Sequence, residues 1–166
     1  MNESLPPISR KVVVVGAGAV GSTYCYALAQ SGIASEIALI DRNEKLAQGH
    51  VLDLVHGQPY FPTVSIYTGT PADYANAQLI VITAGTAQKP GETRLDLLQR
   101  NAAIMRSIMA DILASESSAV ILITSNPVDV MTYAAIQYAG KGSEKRIIGS
   151  GTVLDSSRFR YLLSQH

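Results

Sequence analysis

The run Val12-Val13-Val14-Val15 leads directly into Gly16-Ala17-Gly18-Ala19-Val20-Gly21. Four β-branched residues favour a buried strand, and the glycines that follow favour a tight turn opening onto a helix. In such a turn the first glycine permits the bend, the second lets the backbone approach a pyrophosphate, and the third lets helix and strand pack closely. We therefore predict a dinucleotide site, with a purely structural turn as the alternative. The residues expected to contact the cofactor here are Gly16, Gly18, Ala19, Val20 and Gly21.

An acidic residue at the end of the next apolar run indicates which dinucleotide binds. Asp41 stands about twenty residues beyond the glycines, where a carboxylate can accept hydrogen bonds from both hydroxyls of an adenosine ribose. Its negative charge would repel a 2′-phosphate, which favours NAD over NADP. Arg42 leaves the alternative open, since a neighbouring guanidinium can bind that phosphate, although an arginine after a strand is more often a solvated charge.

Length and composition favour a single globular domain. The 166 residues are 47% apolar, and thirteen basic residues balance thirteen acidic ones without a long run of either sign. Nothing in this balance favours a nucleic acid or an anionic membrane as partner. The apolar runs are too short to span a bilayer, so we expect a soluble cytoplasmic protein. The single cysteine, Cys25, is expected to be a small packed side chain, and no metal site is expected.

The whole chain reads as an alternation of strands and helices. Residues 1–10 suggest a loose arm, and residues 11–166 a doubly wound parallel α/β sheet of the Rossmann type, with six strands in the order 3-2-1-4-5-6. Strands are predicted at Val12–Val15, Glu36–Ile40, Val64–Tyr67, Leu79–Thr83, Ala119–Thr124 and Arg146–Ile148. Helices are predicted near Val20–Ser31, Glu44–His56, Thr93–Ser115 and Val128–Ala139.

Two helices carry more specific expectations. In the third helix, apolar residues recur at intervals of three and four, which predicts a stripe that packs in the core. That stripe consists of Leu95, Leu98, Ala102, Met105, Met109 and Ile112. The last helix begins near Val153, and its pattern still continues at His166 without a glycine or proline. We therefore expect the domain to end within a helix that would lead to a substrate domain.

The loop after the fourth strand has the composition of a lid. Pro90-Gly91 marks a turn, and Thr93 with Asp96 forms a capping-box pattern that places Arg94 in the first turn of the next helix. This loop would lie at the carboxyl ends of the strands, the ligand-binding side of such a sheet. Arg94 could there stabilise negative charge on a carbonyl oxygen.

The same loop contains further candidate contacts. Ala84 and Gly85, at its start, are expected beside the cofactor. The alternative for Gln88, Lys89 and Arg94 is that they are the ordinary polar residues of an exposed loop.

Two further patterns indicate binding groups. Asn126, after the fifth strand, can offer a donor and an acceptor to a nicotinamide ribose or a substrate oxygen, and its bond to Pro127 is either cis or trans. Asn-Pro is also an ordinary turn initiator. Asp155 and Arg158 share a helix face, where the arginine could bind a carboxylate and the aspartate could orient a catalytic histidine. A surface ion pair is the alternative.

Four motifs together resemble the L-lactate dehydrogenases of the lactate/malate dehydrogenase superfamily, from about Lys11 to the end of the chain. They are Gly16-Ala17-Gly18-Ala19-Val20-Gly21, Gln88-Lys89-Pro90-Gly91-Glu92-Thr93-Arg94, Ser125-Asn126-Pro127-Val128-Asp129 and Leu154-Asp155-Ser156-Ser157-Arg158-Phe159-Arg160. The resemblance implies NAD as cofactor, the interconversion of pyruvate and L-lactate, and a tetramer for the complete enzyme.

It also implies residue roles. Arg94 would polarise the ketone, Asn126 would help to position the substrate, and Arg158 would bind its carboxylate. Asp155 would pair with the catalytic histidine. Gln88 would select the substrate, because a neutral amide suits the methyl group of pyruvate where malate dehydrogenases carry an arginine.

The family's proton-donating histidine belongs to a Gly-Glu-His-Gly-Asp-type segment beyond Arg158, and none of His50, His56 or His166 can replace it. We therefore expect this chain to bind NAD and to be inactive alone. The alternatives are a fragment of a malate dehydrogenase or of a broader 2-hydroxy-acid dehydrogenase, and a half-enzyme completed by a second chain. Self-association through the last helix is also expected.

Overall fold

The computed structural model describes residues 9–88 and 90–165. Residues 1–8 of the arm predicted at residues 1–10, together with Lys89 and His166, lie outside the described part. Strands and helices alternate, and no boundary of a predicted strand or of the first four helices differs by more than one residue. The strands are β1 (Lys11–Val15), β2 (Glu36–Ile40), β3 (Ser65–Thr68), β4 (Leu79–Ile82), β5 (Val120–Ile123) and β6 (Ile147–Gly149). The helices are α1 (Ala19–Ser31), α2 (Glu44–His56), α3 (Arg94–Ala114), α4 (Val128–Ala139) and α5 (Val153–Leu163).

All six strands are parallel and lie in the order β3-β2-β1-β4-β5-β6, which confirms the predicted topology. β1 is central, and its Val13 pairs with Ala38 on one side and Ile80 on the other. β2 and β3 lie on one side of β1, and β4, β5 and β6 lie on the other side, so the strand order reverses between β1 and β4. The carboxyl ends of these two strands therefore flank the crevice where ligands bind in sheets of this kind.

Alternate side chains of the strands fill two core layers. Val13 and Val15 pack in the layer that contains Met105, Met109 and Met131 from α3 and α4. Val12 and Val14 pack in the other layer, with α1 and α2. Cys25 of α1 is fully buried there, and burial raises the pKa of its thiol to about 12, so the thiol is a neutral packing group as expected.

The predicted stripe of α3 needs one correction. Met105, Met109 and Ile112 are buried, but Leu95 is 61% exposed. The first turn of α3 follows the loop at the carboxyl edge of the sheet, so Leu95 lies beyond the strands that cover the later turns. The buried line begins instead with the polar residue Asn101.

The last helix is exposed along its length, and the expectation that the domain ends within a helix leading to a substrate domain stays a prediction. α5 ends at Leu163, followed by a turn at Ser164 and Gln165, and no residue of the helix is buried. Its apolar side chains are therefore on the surface, including Leu154, Phe159 and Leu162. Within residues 9–88 and 90–165, no helix is both long and apolar enough to cross a membrane. The cytoplasmic location stays a prediction.

A buried lysine ties the amino-terminal end of the central strand to the segment before β4. The Lys11 side chain is only 4% exposed, and its Nζ lies 2.7 Å from Asp73 Oδ1 and 2.9 Å from Asn76 Oδ1. Burial alone would lower the pKa of Lys11 and raise that of Asp73. The hydrogen bonds and charges of the Lys11, Asp73 and Tyr67 cluster outweigh burial, so the lysine pKa is raised and the aspartate pKa is lowered.

This cluster makes the fold acid-sensitive. A carboxyl group with a lowered pKa contributes stability above its usual pKa of 3.8, and this contribution is lost as the pH falls through the lowered value. Asp73→Asn should therefore be less stable at pH 7 by about 1–3 kcal/mol, because Lys11 loses its charged partner. It should also lose less stability than the wild type between pH 5 and about pH 3. Urea unfolding across this range measures both, and equal acid slopes would contradict the assignment.

Close packing of α1 against β1 gives a second stability prediction. A β-carbon on Gly21 would overlap the carbonyl oxygen of Gly16 and lie 2.7 Å from Thr83 Oγ1, whereas one on Gly49 in α2 would meet nothing within 4 Å. Gly21→Ala should therefore destabilise the fold by about 2 kcal/mol or more. Gly49→Ala should stabilise it by about 0.5–1 kcal/mol, the usual gain in a helix. Thermal unfolding of the two variants compares them, and a neutral Gly21→Ala would refute the packing argument.

Candidate functional site

The turn after β1 touches the end of β4. Gly16 has a φ of +110°, which favours glycine, and its N–H donates to Ile40 O at 2.8 Å. A β-carbon on Gly16 would lie 2.7 Å from the backbone nitrogen of Ala84 and 2.8 Å from its Cα. The structure therefore brings Ala84, predicted beside the cofactor, against the glycine turn.

Thr83, for which the sequence pattern predicts no role, joins the end of β4 to the glycine turn after β1. Its hydroxyl lies 3.1 Å from Val15 O and 3.0 Å from Gly16 O, to either of which it can donate. Its Oγ1 also lies 2.7 Å from the β-carbon positions of Gly16 and Gly21. The only sequence signal for Thr83 was its place at the end of the fourth predicted strand.

The amino-terminal end of α1 opens onto the same edge. Gly18 is the N-cap residue and makes no side-chain cap, and a β-carbon added to it would meet nothing within 4 Å. The first-turn N–H groups of a helix have no partners within the helix, so at α1 they are available to an anion. This open cradle, bounded by two glycines that have no room for a side chain, fits a pyrophosphate.

Asp41 lies beside that cradle at the end of β2. One of its oxygens accepts a hydrogen bond from Ala17 N at 2.7 Å, and the other accepts from Asn43 N at 2.8 Å. These bonds fix the direction of the carboxylate and leave each oxygen a second acceptor position. Asp41 therefore holds the glycine turn and still has the capacity to accept bonds from a ribose. Arg42 is exposed.

The ends of β4 and β5 are bonded to one another. Ser125 Oγ donates to Ala84 O at 2.6 Å. Asn101, which is 5% exposed, accepts from Thr86 N at 2.9 Å and donates to Asn126 O at 3.4 Å. The Asn126–Pro127 bond is cis, and Asn126 is exposed at this edge. Asn101 therefore ties the loop that starts at Ala84 and Gly85 to the predicted substrate contact.

The predicted lid is folded back onto α3 by Arg100, a residue that the sequence analysis did not single out. Arg100 pairs with the carboxylate of Glu92 at 2.6 Å, and it donates to Thr86 Oγ1 at 2.8 Å and to Ala87 O at 3.0 Å. The Gln88 side chain donates to Glu92 O at 2.6 Å. No local sequence pattern links residues 86, 92 and 100, because their contact depends on the path of the loop.

The start of α3 follows the prediction. Thr93 and Asp96 form the capping box, which places Arg94 at the first helical position. Arg94 is exposed, and within residues 9–88 and 90–165 it has no ion-pair partner. Its guanidinium is thus available at the carboxyl edge, next to the loop.

The remaining predicted residues are not joined to this group. Arg158 pairs with Asp155 at 3.1 Å, and both side chains are about two-thirds exposed, at 66% and 68%. In the described part of the chain, no hydrogen bond or ion pair links them to Gln88, Arg94 or Asn126. His50 and His56 lie on α2, and no cluster of metal-ligating side chains occurs among the described residues.

The parallel sheet, the glycine cradle at its switch point and the oriented Asp41 together define a dinucleotide-binding domain of the Rossmann type. Residues 10–149 match the family model described as lactate/malate dehydrogenase, NAD binding domain. The chain therefore belongs to the lactate/malate dehydrogenase family, and its cofactor is NAD, as the sequence predicted.

Individual relatives agree with this assignment. The L-lactate dehydrogenase of Treponema denticola is 57% identical over 156 residues, which cover 94% of this chain and 49% of that protein. The solved structure of the minor L-lactate dehydrogenase from Enterococcus mundtii in its ligands-bound form is 43% identical with a TM-score of 0.92, covering 95% of this chain and 50% of that one. A malate dehydrogenase from Picrophilus torridus is 37% identical with a TM-score of 0.86, over 94% and 50% of the two chains. The chain spans about half the length of the relatives it matches.

A substitution at Gly18 is expected to change NADH binding without lowering the stability of the fold. Gly18→Ser should leave the stability unchanged or slightly higher, because the space is open and serine is a favourable N-cap residue. It should weaken NADH binding by about 10- to 100-fold, since the new side chain stands where a pyrophosphate would approach and overlap costs about 1–3 kcal/mol. Calorimetric titration with NADH, beside thermal unfolding, tests this. Full NADH affinity in Gly18→Ser would place the pyrophosphate elsewhere.

Proposed function

We propose that this chain is the cofactor-binding half of an NAD-dependent L-lactate dehydrogenase, which interconverts pyruvate and L-lactate. The observation that carries the proposal is the junction at the carboxyl edge. There the glycine cradle is in contact with Ala84, at the start of the loop that carries Gln88 and leads to Arg94. The 57% identity with an L-lactate dehydrogenase supports the choice of substrate.

The proposed cofactor contacts lie along the carboxyl edge of the sheet. The N–H groups at Ala19, Val20 and Gly21 bind the pyrophosphate, and Asp41 accepts from the adenosine ribose. Ala84, Gly85 and Asn126 would hold the nicotinamide half, and Asn126 is exposed at the end of β5. Asp41 disfavours a 2′-phosphate, so NADH binds more tightly than NADPH.

Hydride transfer is the chemistry that NAD supplies when bound. The protein binds and orients the substrate and stabilises charge. Arg94 lies near the ketone oxygen and stabilises its developing negative charge. Arg158 binds the carboxylate and exchanges its present partner Asp155 for the substrate, after which Asp155 is free to orient a histidine.

Gln88 selects the substrate. Its side chain is a neutral amide, so it tolerates the methyl group of pyruvate and offers no counter-charge to the second carboxylate of oxaloacetate. A malate dehydrogenase is the second candidate, because the Picrophilus torridus enzyme of that name shares the fold at 37% identity. The neutral residue at position 88 favours lactate dehydrogenase activity over this alternative.

The proposed domain is residues 11–166, and a second domain supplies the other wall of the substrate pocket. The whole enzyme is proposed to be a homotetramer. The exposed apolar side chains of α5 are available to that second domain, to a second chain that completes the enzyme or to self-association.

The 166-residue chain should bind NADH and turn over little or nothing. His50 and His56 lie on α2, and among the described residues no hydrogen bond or ion pair links either of them to Arg94 or Asn126. We propose that these two histidines supply no general acid–base help, which is typically worth about 10²- to 10⁴-fold in rate. NADH and NADPH binding are measured by calorimetry, and NADH consumption with pyruvate and with oxaloacetate is followed by absorbance.

Heat on NADH addition, weaker binding of NADPH and a flat absorbance trace with both keto acids are the expected results. Absence of NADH binding would refute the cofactor-binding proposal. Steady NADH consumption at the rate of an intact dehydrogenase would refute the claim that the site of this chain is catalytically incomplete. Faster consumption with oxaloacetate than with pyruvate would contradict the role of Gln88.

A further inference from the structure

The loop between β4 and α3 is closed into a ring by one guanidinium group. Arg100 donates from Nε to Thr86 Oγ1 at 2.8 Å and from a terminal nitrogen to Ala87 O at 3.0 Å, both at the start of the loop. The same group forms a two-pronged pair with Glu92 at the end of the loop, at 2.6 and 2.9 Å. Arg100 therefore holds together two points that are separated by the tip of the loop.

Gln88 is held from both sides by this ring. The carbonyl group of Ala87, directly before it in the chain, accepts a hydrogen bond from Arg100. Its side-chain amide donates to the carbonyl oxygen of Glu92, at 2.6 Å, and the carboxylate of the same Glu92 is paired with Arg100. The position of the Gln88 amide thus follows from the position of the Arg100 guanidinium.

We propose that Arg100 is a positioning residue that sets the Gln88 amide, and through it the choice of substrate. It acts through Ala87 and Glu92 and does not itself touch the substrate. The proposal rests on the proposed function in one respect, which is the role of Gln88 in selecting pyruvate over oxaloacetate.

The chemistry of the group supports a positioning role. The planar guanidinium directs several N–H donors in fixed directions, so it can bind a hydroxyl, a carbonyl and a carboxylate at once, which the single ammonium of a lysine does poorly. The pair is also partly shielded, because the Glu92 side chain is 12% exposed and that of Arg100 28% exposed. Ion pairs on an open surface are screened more strongly and hold geometry less well.

The helix itself provides a matched control. Arg106 lies on the same helix, is exposed and forms no ion pair within the part of the chain that the structure describes. Replacing either arginine removes one positive charge from α3 and leaves the buried side chains Met105 and Met109 unchanged. A difference between Arg100→Met and Arg106→Met therefore reports the contacts of Arg100.

The experiment follows the Gln88 side-chain amide by ¹H–¹⁵N NMR in the 166-residue chain, with NADH affinity measured in parallel. We compare the wild type with Arg100→Met, Arg100→Lys, Glu92→Gln and Arg106→Met. Arg100→Met should move the Gln88 amide signals to the positions of a solvated amide. It should also speed their exchange with water by about threefold to tenfold, the factor expected when the neutral bond from this amide to Glu92 O is lost. Glu92→Gln should move them in the same direction.

Arg106→Met should leave the Gln88 signals in place, and Arg100→Lys should fail to restore them. NADH affinity should stay within about twofold in every variant, because the cradle at Gly18 and Asp41 is untouched. Backbone signals of the six strands show that each variant is folded. Should Arg100→Met not fold, Arg100→Lys and Glu92→Gln make the same comparison.

Three results would overturn the inference. They are Gln88 signals unchanged by Arg100→Met, an equal shift in Arg106→Met, and full restoration by Arg100→Lys. Loss of NADH binding in the wild type would contradict the proposed function alone, because the link between Arg100 and Gln88 can still be measured without cofactor.

Discussion

The carboxyl edge of the sheet is organised by the absence of two β-carbons. Gly16 and Gly21 each lie so close to a neighbouring backbone or to Thr83 that an added carbon would have to displace it. Because Gly21 has no β-carbon, α1 packs directly against the turn after β1. Because Gly16 has none, the residue after the end of β4 packs against the same turn. Because this packing sets the direction of the first-turn N–H groups of α1, any side chain at these positions would redirect the groups that we propose bind the pyrophosphate.

Hydrogen bonds extend this junction to both sides. On one side, Asp41 accepts from Ala17 N, which fixes the glycine turn to the end of β2. On the other side, Ser125 donates to Ala84 O, and Asn101 bridges Thr86 and Asn126. The ends of four adjacent strands, β2, β1, β4 and β5, therefore form one connected surface, on which the proposed cofactor and substrate contacts lie together.

The sequence predicts what depends on local periodicity and spacing. Helix boundaries, the glycine cradle and the capping box at Thr93 follow from patterns within a few residues, and the strand order follows from the alternation of strands and helices along the whole chain. Arg100 and Asn101 could not be predicted, because their partners lie in loops whose paths depend on the packed fold. Leu95 shows the same limit, since periodicity assigns it to a face of α3 but cannot tell that the sheet does not cover its turn.

Arg100 and Asn101 are neighbours in α3 with different burial, and this difference separates two parts of the site. Asn101 is buried and its contacts exclude solvent, so the join between Thr86 and Asn126 is rigid. The Arg100 side chain is 28% exposed and Gln88 is exposed, so the ring that holds Gln88 is less shielded from water than the bonds of Asn101. The contacts proposed for the cofactor thus rest on buried backbone packing, whereas the position of Gln88 rests on the Arg100 ring. A change in the Arg100 ring would therefore move Gln88 without breaking the bonds that hold the glycine turn, because Asp41 and Thr83 hold that turn independently.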